Sequence, residues 1–449
     1  MINIGDIIEV EIEKMTSLFE GVARYSNDKL VVFVPQGLPQ EKLKVEIIQK
    51  NKSFLRAKII EIIKPNKNRI KPLCALYNAC GSCEVQHCTY NYSLLIKDDI
   101  IKDIFCSIID KNKIYPIIKS PVLDQYRKKV QFPCTQTKNS KRILMGYYKK
   151  NSHNLTNIKF CPLIPSIMNE INEFIRDNCP VSCYVEKTKK GLLKNTIARF
   201  NHKNDLIITF VFNDKRFKNK DFELFCQKLV EKFPIVKGVF VNLNPNNTNT
   251  ILSETTIKII GCDCIVEQLD KYSYKIGPLS FFQVNPAAAC ELFRIIRDNI
   301  KDNAAILDAF GGVGAIGIYL KEKVKKTTLV EINKEACKLA KENYELNRVQ
   351  NYEIFSGNAL NHLEDFKKQG RAFDYVLLDP PRKGCDKNTL SLIKELTKNI
   401  IYVSCNPQTL KRDIIYLIEE GFKVEFLRSI DLFPYTHHIE CVCKLSKEN

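Results

Sequence analysis

Between residues 304 and 407 the chain alternates short apolar strands with helical stretches, and the first strand runs directly into a glycine-rich turn. Ala304-Ala-Ile-Leu-Asp-Ala-Phe310 reads as a strand, and the stretch from Gly311 to Lys323 as a turn entering a helix. Thr327-Thr-Leu-Val-Glu-Ile332 is a second strand, followed by a helix over 333–347 with Asn333 at its N-cap. Phe373–Pro381 is a strand ending in a proline turn, and Ile400–Pro407 is another. Strands that alternate with helices pair in parallel and are covered on both faces, which gives a doubly wound sheet. Ligands bind beyond the carboxyl ends of such strands, so the residues there become the candidates.

A chain of 449 residues exceeds one hydrophobic core, and the sequence divides accordingly. Residues 1–63 hold four β-branched runs (Ile7–Ile12, Leu30–Val34, Leu43–Ile48, Ala57–Ile63) separated by turn-prone segments, as in a small β-barrel. Lys50, Lys52, Arg56, Lys58, Lys64, Lys67, Arg69 and Lys71 cluster at its last turn and just beyond. A Cys-rich segment, 74–88, follows, then helical periodicity over 92–110. Residues 121–272 mix strands and helices. The formal charge of +18 favours a polyanionic partner. The N-terminus lacks a basic stretch leading into an apolar core, and no apolar run approaches the length of a membrane span. The expectation is a cytoplasmic protein without membrane contact, in which clustered cysteines bind metal or do chemistry instead of forming disulfides.

The turn after Asp308 carries the first chemical signal. Gly312-Val-Gly-Ala-Ile-Gly317 fits a dinucleotide fingerprint with Glu331 at the end of the next strand, and alone it serves a nicotinamide cofactor or S-adenosylmethionine equally well. Two features favour the second. Asp308 precedes the glycines in a D-x-F-x-G-x-G arrangement typical of methyltransferases. The later strands end in Asp379-Pro-Pro-Arg382 and Ser404-Cys-Asn-Pro407, and hydride transfer needs no cysteine there. Glu331 would then accept hydrogen bonds from ribose hydroxyls.

A thiol beside a methyl donor suits one reaction in particular. Uracil C5 is a poor nucleophile until a thiolate adds to C6, and a base must afterwards remove the C5 proton. Cys405, on a turn fixed by Pro407, is the expected nucleophile. Glu440, flanked by apolar strand residues, is the expected base, and Asp379 could accept from the uracil N3–H.

With these motifs in place the chain resembles, over essentially its whole length, the RNA uracil-5-methyltransferases, the family of bacterial 23S rRNA and tRNA (uracil-5-)methyltransferases. Phe281-Phe-Gln-Val-Asn285 is similar to the family's F-x-Q-x-N motif, which implies Gln283 as a cofactor contact. Phe310, Glu331 and Asp379 match further binding positions, and Asn358 matches the one near the adenine. Cys405 falls on the nucleophile of S-C-N-P and Glu440 on the base of H-x-E. Ala315 stands where the family often has Asn, a departure that bears on a contact from this position and not on the cofactor's identity. The N-terminal barrel resembles a TRAM domain, an OB-like RNA-binding module. The resemblance also implies that 92–120 packs with the catalytic domain.

Cys74-x5-Cys80-x2-Cys83, with Cys161 much later, supplies four thiolates that suit zinc or a [4Fe–4S] cluster equally. The resemblance implies the cluster, since cluster-bearing members use this arrangement. The expected architecture is multidomain α/β. It comprises a TRAM-like barrel (1–63), a central α+β domain with the iron–sulfur site (64–91 and 121–272), and a Rossmann-like catalytic domain using S-adenosylmethionine (92–120 and 273–449). The expected partner is RNA, 23S rRNA before tRNA, and a monomer is the default. The rival from another class is a non-catalytic, cluster-bearing RNA-binding protein.

Overall fold

The structure, a computed structural model, describes residues 2–25, 30–137, 142–150, 152–246 and 250–448. The turn expected at 26–28 and the end of the Asn-rich turn at 242–249 lie outside the described residues.

The N-terminal strands are β1 (Ile7–Glu11), β2 (Lys14–Met15), β3 (Glu20–Tyr25), β4 (Leu30–Pro35), β5 (Lys42–Lys50) and β6 (Phe54–Lys64). They hydrogen-bond in the order β1-β5-β6-β4-β3-β2. Just past β1, Glu13 N–H donates to Val22 O at 2.8 Å, so the sheet turns back on itself. Val10, Val32, Val34, Leu43, Val45 and Leu55 alternate inward and fill it. Strand β3 has no counterpart among the expected strands. Its Glu-Gly-Val-Ala-Arg-Tyr is poor in large apolar residues, and at Gly21 a Cβ would stand 2.9 Å from Gly37 O.

Helix α1 (Tyr90–Phe105) begins two residues before the expected start and ends five before the expected end. Its buried Ile96, Ile100, Ile101, Ile104 and Phe105 lie at helical spacing. At roughly 1.5–3 kcal/mol for each fully buried side chain, that face anchors the helix. A short turn leads into β7 (Ile114–Ile118).

The central sheet contains β8 (Lys129–Gln136), β9 (Ile143–Tyr148), β10 (Leu155–Asn157), β11 (Leu193–Phe200), β12 (Leu206–Phe212), β13 (Val236–Leu243) and β14 (Thr256–Gly261). Helices α2 (Ile167–Asn178) and α3 (Lys220–Lys232) bury Ile171, Ile175, Phe222, Phe225 and Leu229 against it. Every residue of β12, Leu-Ile-Ile-Thr-Phe-Val-Phe, is buried. Its other face explains why: Ile207 joins the core formed around the hairpin β15 (Ile265–Leu269) and β16 (Tyr272–Ile276).

The C-terminal unit alternates α4 (Pro286–Asp298), β17 (Ala304–Asp308), α5 (Ala315–Tyr319), β18 (Val324–Glu331), α6 (Lys334–Leu346), β19 (Tyr352–Ser356), α7 (Ala359–Lys368), β20 (Tyr375–Leu378), α8 (Lys387–Leu396), β21 (Asn399–Ser404) and α9 (Pro407–Glu419). It closes with β22 (Lys423–Ile430) and β23 (Glu440–Ser446). The eight-stranded sheet runs β19-β18-β17-β20-β21-β23-β22-β7. Strand β7, far earlier in sequence, pairs parallel with β22 at the edge, and α1 packs into the same core as α8 and α9. Strand β23 alone runs antiparallel to both neighbours. Its first residue therefore stands at the edge where the parallel strands end. Among the described residues no helix is long and apolar enough to cross a membrane.

Candidate active site

The strand order reverses between β17 and β20, and their ends carry Asp308 and Asp379. Asp308 is 1% exposed and neither carboxylate oxygen has a hydrogen-bond partner, although the Phe310 amide is close enough to favour its charge. Burial first, then the charges of Asp379 and Glu331, pushes its pKa up to about 7. Burial likewise brings Asp379 up to about 7. Two acids so placed suit a cationic or hydrogen-donating ligand between or above them.

The turn that follows is shaped by glycine. Gly312 and Gly314 have φ of +53° and +81°, a region that side chains resist. A Cβ on Gly317 would strike the Tyr344 hydroxyl of α6, so the last glycine permits helix packing. Glu331 holds the turn closed: one oxygen accepts from Gly312 N at 3.0 Å and the other from Asn333 N at 2.8 Å. Asn333 caps α6 by accepting from Ala336 N at 3.0 Å. Asn358 is exposed and caps α7, its side-chain oxygen accepting from Leu360 N at 3.0 Å. Phe310 is half-buried against the core, and Gln283 is half-buried two residues before Asn285, the N-cap of α4.

Two strands over, the ladder pairs Ser404 with Cys441. One step further, Cys405 leaves the end of β21 beside Glu440, the first residue of β23. Glu440 is 4% exposed and Cys405 half-buried. Burial raises Glu440 well above the usual carboxylate range; Asp379 adds to this and Arg382 opposes it. Burial and then Glu440 raise the Cys405 thiol, again against Arg382. Cys405, Glu440, Asp379 and Arg382 thus share one electrostatic field. The sequence motifs leave Arg382 without a role, although its place after Asp-Pro-Pro at a strand end signals one. Its guanidinium meets His438 Nε2 at 3.1 Å, and its carbonyl accepts from Asn406 Nδ2 and Thr409 Oγ1, each at 3.2 Å.

Cys74, Cys80, Cys83 and Cys161 line a single cavity with Tyr77, Arg127 and Tyr147. Burial pushes Cys83 up to about 12 and Cys161 up to about 11, with the neighbouring thiols adding to both. Thiolates here require a cation to hold them. Among the described residues no three His, Cys, Asp or Glu side chains meet tightly enough to cage a single ion. Cys88 is buried in the core of α1 and plays no part in it.

The family model for tRNA (uracil-5-)-methyltransferase matches residues 251–448, and that for the TRAM domain matches 3–60. A relative from Oceanobacillus iheyensis, named an uncharacterized RNA methyltransferase, is 34% identical over 99% of this chain and 97% of its own. A Staphylococcus aureus protein of the same description is 32% identical over 94% of each chain. The crystal structure of Pyrococcus abyssi tRNA (uracil-54, C5)-methyltransferase with S-adenosyl-L-homocysteine has the same fold. It superposes with a TM-score of 0.75 at 23% identity, covering 98% of this chain and all of its own.

Proposed function

Because the chain belongs to the RNA methyltransferases of the (uracil-5-) type, with a TRAM domain ahead of the catalytic sheet, we propose that it methylates C5 of a uridine through Cys405 and Glu440. One observation carries this assignment: a thiol and a buried carboxylate stand at the neighbouring ends of adjacent strands and act on each other by charge, at the edge where the glycine turn and Asp308 stand. S-adenosylmethionine, bound there, would supply an electrophilic methyl group. The unpartnered Asp308, with Asp379 beside it, fits a cationic amino-acid cofactor. Gln283, Phe310, Glu331, Asn358 and Asp379 would line its site. Asn358 has its amide nitrogen to offer once its oxygen caps α7.

The target base leaves its stack to reach the strand edge. The Cys405 sulfur adds to C6, which makes C5 an enolate carbon able to take the methyl group. Glu440 removes the C5 proton, the C5–C6 double bond re-forms, and Cys405 leaves as thiolate. The raised affinity of Glu440 for a proton suits this step, because a base that holds protons weakly would not remove one from carbon.

The working division of the chain is 1–63, 64–91 with 121–272, and 92–120 with 273–449. Cys74, Cys80, Cys83 and Cys161 would hold a [4Fe–4S] cluster, which methyl transfer does not need for electrons. The barrel and the cysteine site together favour 23S rRNA. The tRNA enzyme from Pyrococcus abyssi shares the fold, so fold alone does not discriminate. A cytoplasmic enzyme working as a monomer completes the proposal.

The test is to purify the protein anaerobically, incubate it with methyl-labelled S-adenosylmethionine and unmodified total RNA, and digest the RNA to nucleosides. Label in 5-methyluridine on a 23S fragment is the expected result. Label in tRNA would keep the chemistry and overturn the substrate. Label in 5-methylcytidine, or none despite cofactor binding, would overturn the roles of Cys405 and Glu440.

A further inference from the structure

The segment 431–439, which delivers Glu440 to the strand edge, is held by residues far away in sequence. Lys97 of α1 donates to Asp431 at 2.7 Å and to His438 O at 3.0 Å, and both members of this ion pair are buried. Asp431 N donates to Ile118 O at 2.9 Å. Asn285, the N-cap of α4, reaches Leu432 O at 3.1 Å, and the Tyr126 hydroxyl reaches Pro434 O at 3.1 Å.

The cysteine loop grips the same segment. Glu84 N and Val85 N, directly after Cys83, donate to Tyr435 O at 3.1 and 3.0 Å. The Glu84 carboxylate accepts from His437 N at 3.3 Å, and His437 Nδ1 lies 3.2 Å from the same oxygen, off the line of a good hydrogen bond. The His437 ring packs on that of His438 with centroids 4.2 Å apart, and His438 Nε2 meets the Arg382 guanidinium at 3.1 Å. A continuous set of contacts therefore runs from the residue after Cys83 to Arg382, whose charge acts on both Cys405 and Glu440.

We propose that Glu84 is a positioning residue for methyl transfer: through His437 and His438 it fixes where Arg382 stands over Cys405 and Glu440, and so ties the cysteine site to the reacting pair. This rests on the roles given above to Cys405 and Glu440. The side chain can be removed without detaching the loop, because the two bonds to Tyr435 O come from backbone N–H groups. A glutamine retains an acceptor for His437 N, whereas an alanine does not.

The experiment compares full-length wild type, Glu84→Ala, Glu84→Gln and His437→Ala on the RNA that the wild type methylates. It measures kcat, KM for RNA, affinity for S-adenosylhomocysteine, thermal midpoint and iron content. Glu84→Ala is expected to lower kcat on the order of 10- to 100-fold, the cost of a small misplacement of reacting groups, with KM and cofactor affinity changed by no more than about twofold. Glu84→Gln should recover most of kcat. His437→Ala, which breaks the same link away from the cysteines, should reproduce the loss with iron content unchanged. Wild-type kcat in Glu84→Ala would overturn the proposal. So would a kcat loss matched by lost cofactor affinity and thermal midpoint, or a His437→Ala enzyme of full activity. A wild type that makes no 5-methyluridine would instead overturn the functional assignment beneath it.

Discussion

Glu41 and Glu440 are both sealed from solvent, at 0% and 4% exposure, but Glu41 sits at the seam between the barrel and the Cys-rich segment and Glu440 at the edge of the catalytic sheet. Glu41 is saturated with donors. Arg69 reaches it through Nε at 2.5 Å and Nη2 at 2.6 Å, Leu38 N at 2.9 Å and Asn66 N at 3.0 Å. Burial alone would raise its pKa, but these donors outweigh burial and hold it below the usual range. Glu440 has burial, Asp379 beside it and only the more distant Arg382 in its favour, so its pKa rises. Equal depth thus yields a permanent anion in one place and a proton acceptor in the other. The donors supplied first by Arg69 and then by the surrounding backbone decide which.

The contrast is broken most severely at the catalytic edge. Cys405→Ala should abolish turnover, by on the order of 10⁴-fold or more, as loss of a covalent nucleophile does. Calorimetric binding of S-adenosylhomocysteine should survive. Retained methylation of RNA would remove Cys405 from the mechanism. Glu440→Gln is the next largest change, on the order of 10³-fold, in the range of general-base loss. It should also leave a methylated RNA–protein adduct that survives a denaturing gel. Rapid release of fully methylated RNA would assign the proton to another group.

At the seam the same substitution should act on stability and not on chemistry. Glu41→Gln removes a buried anion from Arg69 and should cost about 3 kcal/mol of unfolding free energy in a urea titration. The sign with pH follows from its lowered pKa. The stabilisation is present above the carboxylate's ordinary pKa and is lost as pH falls through the folded-state value, so the gap between wild type and variant should close under acid. A constant gap from pH 7 to pH 3 would mean that packing, not charge, holds the seam.

Much of this was legible in the sequence, for identifiable reasons. Strand ends in a doubly wound sheet fall on one edge, so Asp308, Glu331, Asp379 and Cys405 could be grouped from periodicity alone. Glu440 required more, because its strand is the antiparallel one and only its reversal brings its first residue to that edge. Glu331 was marked by position as a ligand acid, yet both its oxygens already bind the turn. A local hydrogen bond to backbone N–H leaves no trace in spacing. Strand β3 is illegible because Glu-Gly-Val-Ala-Arg-Tyr lacks the run of large apolar residues that signals a strand, and close approach at Gly21 excludes a side chain at one of its positions. Lys97 with Asp431, and Glu84 with His437, join positions more than 300 residues apart, and no local pattern anticipates such pairs.

Arg382 offers the finest division between the two glutamates, because it gives Glu440 a weak version of what Arg69 gives Glu41. Burial is the main force raising both Cys405 and Glu440, and Arg382 is the cation that opposes it for both. Removing it, as in Arg382→Met, leaves burial and like charge unopposed, so both groups release their protons at higher pH. The reaction requires the thiolate first and the carboxylate afterwards, so the rising limb of kcat against pH must move to the alkaline side. A displacement of about one pH unit corresponds to about 1.4 kcal/mol and about a tenfold loss at neutral pH, recovered as pH rises. Single-turnover rates between pH 6 and pH 10 would measure it. A profile lowered uniformly at every pH would mean that Arg382 holds the RNA instead of setting the charge of the pair. Glu84→Ala should then leave the limb where the wild type has it.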